Sequence, residues 1–242
     1  MSLLAQLIRL LPGEGPDEVG DFDDDDSFDK ITELTGALID SADLGLVPEL
    51  EAHLDTFLAR KDFYGRDVIG EVLAGIAGLD ALPVLLRASA RNLGDDQDTF
   101  ATIICELLQQ DPVGARPAVL GLVDADDAAL RATAVWALDF IVSEEDLPRL
   151  LAALRDPHPD VRSAAAGPVG QLAERLPKAT DALAAALNDF APQVRIPALA
   201  ALSYTPQSAA LPHVTRLSND PDPKVREWAA IALNRLRGTA LP

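Results

Sequence analysis

The chain repeats itself, and that repetition constrains its fold more than any other feature. Four segments align without gaps through their second halves: DDAALRATAVWAL ending at Leu138, HPDVRSAAAGPV ending at Val169, APQVRIPALAAL ending at Leu202, and DPKVREWAAIAL ending at Leu233. Their arginines, Arg131, Arg162, Arg195 and Arg226, stand 31, 33 and 31 residues apart. A step of 31 back from Arg131 reaches Phe100, and one of 34 more reaches Arg66. A fixed period of this length marks a supersecondary unit that cannot bury its own apolar face and must stack on copies of itself.

The unit is helix, turn, helix. Apolar stretches such as LPRLLAAL, ATDALAAAL and LPHVTRLS precede the polar turns RDPHPD, NDFAPQ and NDPDPK, which lead into the aligned segments. Asp156-Pro157, Asp220-Pro221 and Asp222-Pro223 end one helix and open the next, because proline cannot continue a helix but fits its first turn. The apolar excess is alanine and leucine with few aromatics, which favours helix on side-chain entropy. About six units are expected, over residues 46–78, 79–110, 113–143, 146–175, 177–204 and 208–238, and no strands.

An acidic turn, then Val-Arg, then an alanine-rich helix with an apolar residue at the eighth place after the valine, as in DPHPDVRSAAAGPV, resembles HEAT-like repeats of the short type found in phycobilin-lyase-related proteins. The likeness covers most of the chain from about residue 46. It implies an all-α, right-handed α-solenoid, or superhelix. It also implies a structural role for the repeated arginines, with Arg162, Arg195 and Arg226 pairing with Asp156, Asp189 and Asp220. It says little about activity, since such repeats serve scaffolds, adaptors, immunity proteins, lyase subunits and base-excision enzymes. Ankyrin and tetratricopeptide units have similar periods, but no TPLH segment and no Trp-Leu-Gly-Tyr spacing occurs.

Residues 1–45 depart from the period. LLAQLIRLL and KITELTGALIDSA read as amphipathic helices that cap the solenoid. Between them, at about 12–29, PGEGPDEVGDFDDDDSFD has too little apolar surface to order itself and reads as a flexible acidic loop. Its Asp23, Asp24 and Asp25 suit a basic partner. An EF-hand would need glycine at the sixth place from Asp21 and glutamate at the twelfth, where Asp26 and Thr32 stand, so no metal is expected.

Charge is unevenly spread. Residues 1–145 hold 9 Lys/Arg against 30 Asp/Glu, a net −21, while residues 146–242 hold 11 against 9, a net +2. The acidic part repels phosphate and attracts a basic surface, which argues against nucleic acid and for a basic protein partner. No apolar run of about 18 residues and no leader with a small-residue cleavage site are seen, so a cytoplasmic protein without a membrane span is expected. Cys105, the lone cysteine, has no internal partner.

No constellation for catalysis emerges. His53, His158 and His213 fall on a first helix, in a turn and on another first helix. There is no CxxC, no GxSxG, no phosphate-cradling glycine loop, and no His-Glu pair of the kind that marks iron-binding HEAT-like hydroxylases. A non-enzyme without cofactor is expected.

Binding is therefore sought on the second helices, which in solenoids form an extended surface. Counted from the valine, the fourth, fifth and eighth places are uniformly apolar and read as core. The third, sixth and tenth places vary: Thr102, Thr133, Ala164, Pro197 and Trp228; Glu71, Cys105, Trp136, Gly167, Ala200 and Ile231; Gln109, Phe140, Gln171, Tyr204 and Arg235. Trp136, Phe140, Tyr204 and Trp228, with Arg235 and Glu71, are the candidate partner contacts, since aromatics and arginine dominate binding hot spots. Gly167-Pro168 within a second helix is expected to kink it and widen the groove. The best functional reading is a protein-binding scaffold or adaptor, expected to be a monomer. A bacterial immunity or inhibitor protein and a lyase subunit acting on a tetrapyrrole are the alternatives, and a base-excision enzyme ranks last because it needs a basic face.

Overall fold

Prolines and short polar side chains set the helix starts. In the computed structural model, which describes residues 1–11, 25–91, 93–94, 97–204 and 210–237, every regular element among those residues is helical. First helices open on an apolar residue followed by proline, as at Pro48, Pro83, Pro148 and Pro212. Two second helices without an opening proline are capped by aspartate: Asp127 accepts from the amides of Ala129 and Leu130, and Asp62 from that of Gly65. Such caps satisfy amides that have no partner within the helix.

The protein divides into two compact units, Met1–Ala118 and Val119–Pro242. The first contains α1 (Leu3–Leu10), α2 (Asp25–Ser41), α3 (Val47–Arg60), α4 (Phe63–Ala77), α5 (Leu82–Ser89) and α6 (Asp98–Gln110), and the boundary falls inside α7 (Pro112–Leu120). α1 packs on α2, α2 on α4, and α4 on α6, with α3 and α5 as first helices of their hairpins. The acidic stretch expected to be loop to about residue 29 is already helical from Asp25; Asp23 and Asp24 lie outside the described residues.

The second unit contains α8 (Ala128–Leu138) and the hairpins α9 (Leu147–Ala153)/α10 (Pro159–Ala173), α11 (Pro177–Ala186)/α12 (Pro192–Ser203) and α13 (Leu211–Arg216)/α14 (Pro223–Leu236). The second helices stack in order, α8 on α10, α10 on α12, α12 on α14. Their contact columns are small: Ala134, Ala165, Ala198 and Ala229 are wholly buried, so the backbones approach closely. The architecture is an all-α solenoid of helical hairpins.

The arginine pairing differs from the one the family resemblance implied. Arg162 grips not Asp156 but Asp189, one turn further on, with Nε to Oδ2 at 2.7 Å and Nη2 to Oδ1 at 2.9 Å. Arg131 grips Asp156 in the same bidentate way, at 2.9 and 3.0 Å. Arg195 reaches Asp220 through Nη2 alone, at 2.7 Å, and its buried Nε finds no acceptor. What each arginine takes from its own turn is backbone: Nη1 of Arg162 donates to the carbonyls of Asp156 and Pro157, that of Arg195 to Asp189 and Phe190, and that of Arg226 to Asp220 and Pro221. Reach explains the difference, because a long side chain four residues into the second helix passes its own turn and arrives at the next. Burial would raise Asp156, Asp189 and Asp220, but the arginine hydrogen bonds, backbone amides and arginine charge together outweigh it and hold all three below the ordinary aspartate value.

One stretch departs from the expected absence of long apolar segments. Phe63–Ser89 is apolar and long enough by composition to cross a membrane, with half of its apolar window buried inside the protein. It is not one rod. Gly78, at φ +54°, ends α4 and a 3-10 turn over Gly78–Ala81 intervenes before α5, so the run is two core helices of adjacent hairpins.

Candidate binding groove

Where α10 meets α12, side chains are nearly missing, and a groove of about 570 Å³ opens over them. It is lined by the small or ring-closed residues Gly167, Gly170, Pro197, Ala200 and Ala201 and by the polar residues Asp139, Gln171, Glu174 and Tyr204. Glycine is required by close approach. A Cβ on Gly170 would lie 2.8 Å from Cβ of Ala201, and one on Gly167 would lie 2.9 Å from Oδ2 of Asp139. Pro168 lies within the continuous helix α10 and is buried.

Asp139 follows the last residue of α8 and is held by α10. Gln171 Nε2 donates to its Oδ1 at 2.8 Å and also to its backbone carbonyl. Burial pushes the Asp139 carboxyl up, and the Gln171 hydrogen bond offsets this in part. Two cations of the second unit are engaged elsewhere. Arg175 pairs with Glu144 at 3.3 Å, while Arg235 lies over the Tyr204 ring at 4.5 Å and donates to Ser203 Oγ at 3.2 Å.

The structure separates the candidate residues. Tyr204 is 69% exposed and lines the groove under the Arg235 guanidinium. Trp136 and Phe140 are half-buried and meet edge to face at 5.2 Å, each occupying the other. Trp228 is half-buried on α14. Glu71 is exposed on α4 in the other unit, where it adds to burial in raising the Tyr64 phenol. Asp25 opens α2. Among the described residues no group of three or more His, Cys, Asp and Glu is gathered as metal ligands would be.

Five lining residues, Gly167, Gln171, Pro197, Ala200 and Tyr204, come from the variable columns of the repeat. Asp139, Gly170, Glu174 and Ala201 were missed. A signal existed for two of them, since the place after each repeat's last core residue holds Asp139, Gly170, Ser203 and Asn234, a column of small or polar residues next to core.

The sequence matches the family described as HEAT repeats over residues 82–167 and 180–242, more than half of the chain. No curated protein matches it. Among solved structures it is similar to the complex of CpcE and CpcF of phycocyanin lyase from Nostoc sp. PCC7120, with TM-score 0.52 and 24% identity over 64% of this chain and 98% of that one. It is also similar to Kap121p carrying D353K/E396K/D438K, with TM-score 0.65 and 14% identity over 96% of this chain and 29% of that one. Human deoxyhypusine hydroxylase follows at TM-score 0.45 and 24% identity, over 97% and 90% of the two chains. The likeness to the first two, at these identities, shows the fold alone.

Proposed function

The chain belongs to the HEAT-repeat family, and from that premise we propose that it is a non-catalytic, cytoplasmic protein-binding scaffold or adaptor, a monomer that needs no cofactor. The observation that carries this reading is the groove over α10 and α12, an open surface built from second helices whose residues vary between copies while the core beneath them does not. A surface fitted to an irregular partner needs that combination of a constant scaffold and a varied face. The partner is basic. Residues 1–145 carry a net −21, and such a field speeds encounter with a positive protein and disfavours nucleic acid.

The test is capture of partners from a lysate of the source organism on the immobilised full chain at about 50 mM and about 500 mM salt, spanning strong and weak screening, with Trp136→Ala/Trp228→Ala alongside. A stoichiometric protein held at low salt and released at high salt is the expected result. The double variant is expected to weaken capture, and undiminished capture by it removes Trp136 and Trp228 from the binding surface. Failure to retain any stoichiometric protein under either condition overturns the reading.

A further inference from the structure

We propose that the groove over α10 and α12 receives a lysine side chain of the partner protein, its ammonium on Oδ2 of Asp139 and its methylenes along Gly167, Gly170, Ala200 and Ala201. This rests on the scaffold reading above and names the chemistry that its groove selects.

Three features of the groove point the same way. Five of its nine lining residues, Gly167, Gly170, Pro197, Ala200 and Ala201, have no side chain longer than a methyl or a proline ring, so they offer an apolar surface to an aliphatic stem. At its side stands a carboxylate that is partly desolvated and has no cation paired with it among the described residues. Gly167 keeps the space beside Oδ2 clear, since a Cβ there would lie 2.9 Å from that oxygen. A long apolar stem ending in a positive charge satisfies both halves of the site, as lysine does when it buries its methylenes and keeps its head polar.

Oδ1 of Asp139 accepts from Gln171, and Glu174, which also lines the groove, adds negative potential. Of the two cationic side chains lysine has the longer methylene stem, so it covers more of the small-residue lining than arginine does. The charge of Asp139 has lost water and gained only one neutral hydrogen bond, so an incoming ammonium supplies what the folded protein does not.

The experiment is an amide-resolved NMR titration of the full chain with a pentapeptide carrying one lysine between alanines, beside its norleucine, Nε-acetyl-lysine and arginine counterparts. The lysine peptide is expected to shift the amides of Gly167, Gly170, Ala200 and Ala201, and the norleucine and acetylated peptides to leave them in place at equal concentration. Asp139→Asn keeps an acceptor for Gln171 and should fold unchanged; it is expected to lower affinity at least about tenfold, the low end for a hydrogen bond to a charged group. Gly167→Ala, which crowds Oδ2, is expected to lower it as well. Equal shifts with norleucine, a smaller loss in Asp139→Asn, arginine binding tighter than lysine, or no shift up to about 10 mM peptide, beyond the weakest affinity worth calling recognition, each overturn the assignment. A captured partner that holds Asp139→Asn as tightly as the parent overturns the lysine site and leaves the scaffold standing. A positive titration with no captured partner does the reverse.

Discussion

Arg162 donates to four oxygens from two turns, the Asp189 carboxylate on one side and the carbonyls of Asp156 and Pro157 on the other. Side chains of both Arg162 and Asp189 are almost fully covered, at 7% and 11% exposure, so removing one partner strands the other away from water. Arg162→Met is expected to cost about 3 kcal/mol, read as a lower urea midpoint. Asp189→Asn keeps the cap on the Ala191 amide and should cost less, about 1–2 kcal/mol. In the double variant the losses should fall well short of their sum; simple additivity would show that the two residues are not coupled. The repeated arginine was legible in the sequence as a structural residue. Its partner was not, because spacing shows which arginine recurs but not how far a side chain with four torsions reaches.

Helix α12 contains Pro197, which has no amide to give the carbonyl of Gln193 four residues back. That carbonyl is taken instead by the hydroxyl of Ser163 on α10, at 2.8 Å, and Gln193 returns a hydrogen bond from Nε2 to Asp160 at 2.7 Å. A proline inside a helix thus becomes a joint between neighbouring repeats. Ser163→Ala should cost about 1 kcal/mol with Pro197 present and close to nothing in a Pro197→Ala background, where the helix can satisfy its own carbonyl. Equal costs in both backgrounds, measured by urea unfolding as a double-mutant cycle, would separate Ser163 from Pro197. At this scale the helices and their order could be read from proline and aspartate punctuation. The groove could be read only in part, since its variable columns are a sequence property whereas the meeting of Asp139, Gly167 and Gln171 across two helices is a matter of packing.

Charge divides the molecule in a way that predicts how it unfolds. Residues 1–118 hold 8 Lys/Arg against 24 Asp/Glu, and residues 119–242 hold 12 against 15, so the net charges are −16 and −3. Self-repulsion weakens the first unit at neutral pH and low salt, and both salt and acid relieve it. The second unit responds oppositely to acid. Asp156, Asp189 and Asp220 titrate below the ordinary aspartate value, so their stabilisation is full above about pH 4, the unfolded value, and is lost as pH falls through the folded values. Trp136 and Trp228 both belong to the second unit, so tryptophan fluorescence follows that unit while circular dichroism follows all the helices. At pH 7, raising salt from about 20 to about 300 mM, which cuts the screening length severalfold, should raise the dichroism transition and move the fluorescence transition little. Between about pH 4 and pH 2.5, across the fall in aspartate ionisation, the fluorescence transition should drop, and Arg162→Met should flatten that drop because its rung is already broken. If the two probes coincide at every pH and salt, the chain unfolds as one cooperative block and the separate electrostatic control of its two units is refuted.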